Sequence, residues 1–182
     1  MTLGETIILA TYFFVLVILA VYGWHRYYLV YLYMKNRDRV PVPAGVERLP
    51  LVTVQLPIYN EMYVADRLID AVCELDYPRE LLEIQVLDDS TDETRIVAER
   101  AVQRNAARGV DICYIHRSDR TGYKAGALDA GMQVAKGDFI AIFDADFIPT
   151  HDFLRRTVPY FGDGRWRWCR RAGATSIAIT RC

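Results

Sequence analysis

Ile84-Gln85-Val86-Leu87-Asp88-Asp89-Ser90-Thr91-Asp92 and Phe139-Ile140-Ala141-Ile142-Phe143-Asp144-Ala145-Asp146 decide the fold. Each is a short β-rich apolar run ending in a cluster of carboxylates, the pattern of a buried strand. In open α/β sheets, ligands bind in the crevice outside the carboxyl ends of such strands. Two acidic ends gather several negative charges near one crevice. That arrangement is unfavourable unless a cation, or a ligand carrying one, sits among them. Either cluster alone reads better as a polar strand end running into solvent, whereas both in one short stretch favour a site. Asp144-Ala145-Asp146 has the Asp-x-Asp form that holds a divalent ion on a diphosphate.

Outward from these runs, strand and helix patterns alternate. Strands are predicted over residues 51–58, 82–87, 110–115 and 139–143. Helices are predicted over 62–75, 91–108, 124–135 and 150–160. The second helix has Ser90 or Thr91 near its cap and Asp92 and Glu93 in its first turn. Gly137 closes the third, and Thr150 caps the fourth. Alternating βαβα units imply a mostly parallel, Rossmann-like sheet with right-handed crossovers.

The 182 residues are enough for one domain and a small extra piece. A net charge of −1 gives no indication of a nucleic-acid-binding surface. Four cysteines, Cys73, Cys113, Cys169 and Cys182, show neither metal-ligand spacing nor a paired framework. They suit a reducing compartment, with Cys73 and Cys113 read as small core residues.

Residues 6–24 carry no charge and no polar face, and are long enough to cross a bilayer as a helix. A cleavable signal peptide fits poorly, because Glu5 stands where basic residues would. Arg26, Lys35, Arg37 and Arg39 follow, among Tyr22, Trp24, Tyr27, Tyr28, Tyr31 and Tyr33. Positive residues stay inside and aromatic rings sit at the interface. The expectation is an inner- or plasma-membrane span with the N-terminus outside and the domain cytosolic. Residues 27–34 are read as an interfacial helix. The domains expected are 1–39 membrane helix and interfacial segment, 40–49 linker with its two prolines, 50–164 the α/β domain, and 165–182 a separate tail.

Two further motifs carry chemistry. Pro57-Ile58-Tyr59-Asn60-Glu61 ends the first strand and suits a nucleobase and ribose; read plainly, it is a turn with Asn60 as helix cap. Gly122-Tyr123-Lys124-Ala125-Gly126-Ala127-Leu128 sets a lysine between glycines at a helix start, where backbone N–H groups and the ammonium can both face a phosphate. The helix dipole disfavours a lysine there, so its presence hints at an anion.

Taken in order, these four motifs resemble family 2 glycosyltransferases, and most closely the cellulose-synthase-like, glucomannan-synthase-like branch. The resemblance covers about residues 50–164. It implies a GT-A fold, of which this chain carries the N-terminal half. The activity implied is inverting transfer of a hexose, glucose or mannose, from a UDP- or GDP-sugar to a polysaccharide or lipid-linked acceptor at the membrane. It also implies Mg2+ or Mn2+ held by Asp144 and Asp146. Carried over residue by residue, Pro57, Tyr59, Asn60, Glu61 and Asp89 lie at the nucleoside with Asp88 beside them, and Lys124 approaches the nucleotide sugar. The family's acidic base motif and its Gln-x-x-Arg-Trp motif do not occur in this sequence.

Alternatives are a lipid-phosphate glycosyltransferase of the dolichyl-phosphate-sugar synthase type, or an inactive nucleotide-binding fragment. A receiver domain is rejected, because Lys124 precedes Asp144 rather than following it. From Arg165 the chain turns to arginine, tryptophan and cysteine, and no acidic residue follows Asp163. Trp168-Cys169 in a shifted frame forces a valine codon, and permitted codons let the tail read as an apolar strand and polar turn. The expectation is a tail out of frame near Arg165 and a chain that does not itself transfer sugar.

Overall fold

The computed structural model describes residues 2–37 and 48–161. Residues 40–47 of the expected linker, and the whole expected tail, lie outside them. The chain divides into two units, Met1–Val42 and Pro43–Cys182.

Among the described residues the first unit is one helix, α1, Leu3–Asn36. It starts in a capping box. The Thr2 hydroxyl accepts from the Glu5 N–H at 3.4 Å, and the Glu5 carboxylate accepts from the Thr2 N–H at 2.9 Å. Its mean hydropathy reaches 2.3 over the most apolar window, so it is long and apolar enough to cross a membrane. The expected span and interfacial helix are therefore continuous. No proline or other breaker interrupts the run from Trp24 to Met34, and its 34 residues extend to about 51 Å against a hydrocarbon core of about 30 Å.

Among the described residues the second unit is built on four parallel strands: β1 (Val52–Ile58), β2 (Leu82–Asp88), β3 (Ile112–His116) and β4 (Phe139–Ile142), in the order β3-β2-β1-β4. Helices α2 (Met62–Cys73), α3 (Thr94–Ala106) and α4 (Tyr123–Met132) connect them. A short α5 (Phe153–Thr157) follows β4. This is the doubly wound arrangement that the alternating pattern predicts.

The two faces of the sheet differ in chemistry. Val52, Val54, Leu56 and Ile58 of β1, with Ile84 and Val86 of β2, pack with Leu68, Ile69 and Val72 of α2 and Ala98, Ala101 and Val102 of α3 in one apolar core. The alternate residues Thr53, Gln55, Glu83 and Gln85 are buried as well, on the side of α4. Bonds among them offset part of the cost of that burial, while Gln55 Oε1 and Gln85 Nε2 have no hydrogen-bond partner among the described residues. The Thr53 hydroxyl donates to Glu83 at 2.6 Å, and the Gln55 amide donates to Gln85 at 3.0 Å. The backbone N–H groups of Lys136 and Gly137 donate to Glu83 and Thr53, both at 2.9 Å. Beyond β4 the chain folds back: Phe153 meets Phe143 edge-on at 5.2 Å, and Phe161 lies 5.8 Å from Phe139.

Several boundaries move from those predicted. The second helix starts at Thr94, because the Asp92 carboxylate accepts from the Thr94 N–H at 2.9 Å and holds the preceding residues in a turn. The fourth starts at Phe153, with Asp152 rather than Thr150 as its N-cap. Cys73 and Cys113 are half-buried free thiols rather than full core residues.

Candidate functional site

The sequence runs outward from β1 to β2 and β3, then returns to place β4 on the other side of β1. The point of reversal, at the carboxyl ends of β1 and β4, is where doubly wound sheets bind ligands. A crevice of about 340 Å³ opens there. Pro57, Tyr59 and Glu61 line it from the end of β1, Asp89 from the end of β2, Lys124 from α4, and Asp144 and Asp146 from the end of β4. These are seven of the nine residues that the sequence singles out.

The other two, Asp88 and Asn60, do not line the crevice but join the segments around it. Asp88 is fully buried. Its carboxylate accepts from the Ser90 N–H at 2.8 Å and from the Tyr114 hydroxyl at 2.5 Å. Both Asp88 oxygens are thus engaged inside the fold rather than facing the crevice. Burial, and then Asp88 itself, push the Tyr114 hydroxyl above its ordinary value. Asn60 is exposed and does not cap α2, whose N-cap is Glu61. It adopts a left-handed backbone (φ 53°), a conformation asparagine tolerates. Its N–H donates to the Ser90 hydroxyl at 2.9 Å and its side-chain oxygen accepts from the Thr91 N–H at 2.9 Å. Asn60 therefore locks the loop after β1 to the loop after β2.

Asp89 is gripped by Arg117, whose Nε and Nη2 donate to its two oxygens at 2.8 and 2.6 Å. The same guanidinium donates to the carbonyls of Thr121 and Tyr123, at 3.3 and 3.1 Å. Gly122 makes the turn into α4 with φ 76°, a value glycine adopts without strain. A Cβ on Gly126 would collide with the Thr121 carbonyl oxygen and come within 2.8 Å of Arg117 Nη1, so the second glycine of the motif serves close packing.

Lys124 extends from the first turn of α4 into an ion pair with Asp144. Burial pushes its ammonium below the ordinary lysine value, while Asp146 and Glu61 pull it back up. Glu61 is pushed above the ordinary carboxylate value by burial and by Asp146, against the opposing pull of Lys124. The crevice lining thus carries four carboxylates, Glu61, Asp89, Asp144 and Asp146, against two cations, Lys124 and Arg120, with Asp89 already paired to Arg117. Among the described residues no group of three or more His, Cys, Asp or Glu side chains converges as a metal cage. Asp144 and Asp146 are a two-carboxylate, hard-oxygen set. That set fits Mg2+ or Mn2+, which fill their remaining positions with phosphate oxygens and water.

The sequence reading missed Arg117 and Arg120. Both lie in Arg117-Ser118-Asp119-Arg120-Thr121, directly before the Gly122 motif. Two arginines three apart at the mouth of a phosphate-type turn were the available signal. Arg120 lines the crevice, and its guanidinium carbon lies 3.3 Å from the centroid of the Tyr59 ring.

Residues 53–166 match the family described as glycosyl transferase family 2. The chain belongs to this family. Among curated relatives of this family 2 chain, glucomannan 4-beta-mannosyltransferase 9 of Arabidopsis thaliana is 48% identical over 123 residues, covering 65% of the chain and 23% of the relative. Glucomannan 4-beta-mannosyltransferase 1 of Oryza sativa subsp. japonica is 47% identical over 129 residues, covering 66% and 25%. The chain spans about a quarter of the length of these curated relatives. Among solved structures, the mannosyltransferase PcManGT from Pyrobaculum calidifontis, in complex with GDP-Man and Mn2+, superposes with a TM-score of 0.63 at 30% identity. That match covers 80% of this chain and 43% of the other. Residues 1–349 of S. aureus TarS share the fold at a TM-score of 0.50 and 22% identity, covering 58% and 30%. The α/β unit is thus a GT-A-like family 2 domain in part.

Proposed function

We propose that this chain is the donor- and metal-binding part of a membrane-anchored inverting glycosyltransferase. It would transfer a hexose, with mannose on GDP favoured over glucose on UDP, to a growing polysaccharide or a lipid-linked acceptor. The observation that carries this reading is the meeting of Glu61, Lys124, Asp144 and Asp146 at the point where the strand order reverses. The relatives named as mannosyltransferases and the neighbour in complex with GDP-Man and Mn2+ support it.

In this reading Tyr59 stacks the base. Asp89, held in one orientation by Arg117, accepts a hydrogen bond from the base or ribose. Pro57 and Glu61 shape the wall beside it, while Asp88 and Asn60 keep the two loops in register. Lys124 leaves Asp144 for the diphosphate, where its charge offsets the phosphate oxygens. A divalent cation on Asp144 and Asp146 would supply Lewis-acid neutralisation of the departing diphosphate. α1 would hold the domain at the inner or plasma membrane, N-terminus outside and domain cytosolic.

Calorimetry on the purified full chain in detergent, with GDP and UDP each with and without Mn2+, tests the reading. Nucleotide binding that strengthens with Mn2+, and is tighter for GDP, is the expected result. Absence of any metal-dependent nucleotide binding would overturn it.

A further inference from the structure

Arg120 stands apart from the other charged groups of the crevice. Its guanidinium carbon lies over the Tyr59 ring at 3.3 Å from the centroid, in van der Waals contact, and 5.1 Å from that of Tyr123. The covered face of Tyr59 is closed to any second flat group. Cation–π attraction favours the arrangement. A second feature opposes it: the Arg120 Nε is buried and, among the described residues, has no hydrogen-bond partner. A buried donor left unmet is unfavourable, so the side chain has something to gain by moving to an acceptor.

The backbone beneath it is fixed. The Thr121 N–H donates to the Asp119 carboxylate at 3.0 Å, and the Tyr123 N–H donates to the Arg120 carbonyl at 2.9 Å. Arg117 holds the next carbonyl, that of Thr121, at 3.3 Å. Movement at this position is therefore movement of the side chain alone.

We propose that Arg120 is a donor-binding residue with two positions, one on the face of Tyr59 and one on the diphosphate of a nucleotide whose base has taken that face. The inference rests on reading the crevice as a nucleoside-diphosphate-sugar site. A nucleobase and a guanidinium are both flat, and they cannot occupy one face of Tyr59 together. A base that stacks there displaces Arg120. The nucleotide brings with it the acceptor that a fork of N–H donors matches best, the phosphate oxygens. Base recognition and diphosphate recognition are coupled through one side chain. A bare nucleoside must lift Arg120 off its ring without giving it a new partner, whereas a nucleoside diphosphate does both.

The test titrates the full chain in detergent with guanosine, with GDP plus Mn2+, and with inorganic pyrophosphate plus Mn2+. It compares wild type, Arg120→Ala and Arg120→Lys, each checked for an unchanged circular dichroism spectrum. Arg120→Ala should bind guanosine roughly threefold to tenfold more tightly, because the cation–π contact no longer has to be broken. It should bind pyrophosphate about tenfold more weakly, the loss of one charge-assisted donor set. Its GDP affinity should fall by less than its pyrophosphate affinity, the difference being the gain at the base. Arg120→Lys should keep most of the guanosine gain while recovering part of the pyrophosphate affinity, and it carries the test if the alanine variant misfolds. Guanosine affinity that is unchanged or weaker in these variants, or pyrophosphate affinity that does not move, overturns the proposal while leaving the donor site standing. Wild type that binds none of the three overturns the donor reading and this inference together.

Discussion

Arg117 and Asp89 form a two-pronged ion pair at 2.8 and 2.6 Å, and the same guanidinium ties down the backbone that leads into α4. The pair joins the end of β2 to the loop before Lys124, so one residue orients both an acidic and a basic wall of the crevice. Removing one partner leaves the other buried and uncompensated. Arg117→Ala should destabilise the domain by about 3 kcal/mol, the usual result of breaking a buried pair. Arg117→Lys should recover part of the charge but not the fork, and so remain measurably weaker. Denaturant unfolding measures both. A midpoint unchanged in either variant contradicts this account of Asp89.

Metal dependence should separate two aspartates that look alike in sequence. Asp146 lines the crevice, whereas Asp92 spends its carboxylate on the Thr94 N–H at the start of α3. Asp146→Asn should abolish the Mn2+-dependent gain in nucleotide affinity. Asp92→Asn keeps an acceptor oxygen in place and should leave that gain intact. Calorimetry with and without Mn2+ decides, and equal behaviour of the two variants would overturn the metal role proposed for Asp146.

Gly126→Ala tests whether the glycine serves close packing. The added methyl must push away the Thr121 carbonyl or the Arg117 guanidinium, so overpacking of about 1–3 kcal/mol is expected. Nucleotide affinity should fall with it, since Lys124 rides on the same turn. Gly23→Ala on α1, where a Cβ meets nothing within 4 Å, should leave both quantities unmoved and serves as the control.

Alkaline stability should report on Tyr77. Its hydroxyl donates to the Pro50 carbonyl at 2.7 Å, and burial pushes it up to about 12 from an ordinary value of 10.0. The folded state therefore favours the neutral phenol. That contribution is complete below pH 10 and is lost as pH climbs from there to about 12, where the unfolded chain ionises first. Tyr77→Phe should lower stability at pH 8 by about 1 kcal/mol, the net value of one hydrogen bond. It should also make the fall in stability between pH 10 and 12 shallower. Denaturant midpoints across that window measure it, and parallel curves for variant and wild type would contradict the assignment.

The acidic strand ends were legible because parallel pairing brings the carboxyl ends of β1, β2 and β4 to one edge, whatever the side chains do. The choice between Asp88 and Asp89 was not. It depends on Tyr114, 26 residues later on β3, whose hydroxyl claims Asp88 and leaves its neighbour for the crevice side. Arg120 was hidden for the same reason. An arginine in a turn reads as solvated until Tyr59, from a different strand end, is placed beneath it. The alternation Val52-Thr53-Val54-Gln55 likewise marks a polar face without saying that α4 covers it. Partners that satisfy polar groups are set by sheet register, which a single sequence does not display. The continuity of α1 follows instead from something local, the lack of any residue able to stop it.

The bonds under α4 bear on how the site can move. Arg117 restrains the approach to its first turn, and Glu83 and Thr53 hold the N–H groups of Lys136 and Gly137 just past its end. Bonds of this kind are directional, and a helix sliding by even a fraction of a turn would break them at both ends. An oily seat would have tolerated such sliding; this one makes α4 a strut. Adjustment to a substrate then falls to the long side chains that α4 and its entry loop carry, Lys124 and Arg120, which swing on a frame that stays still.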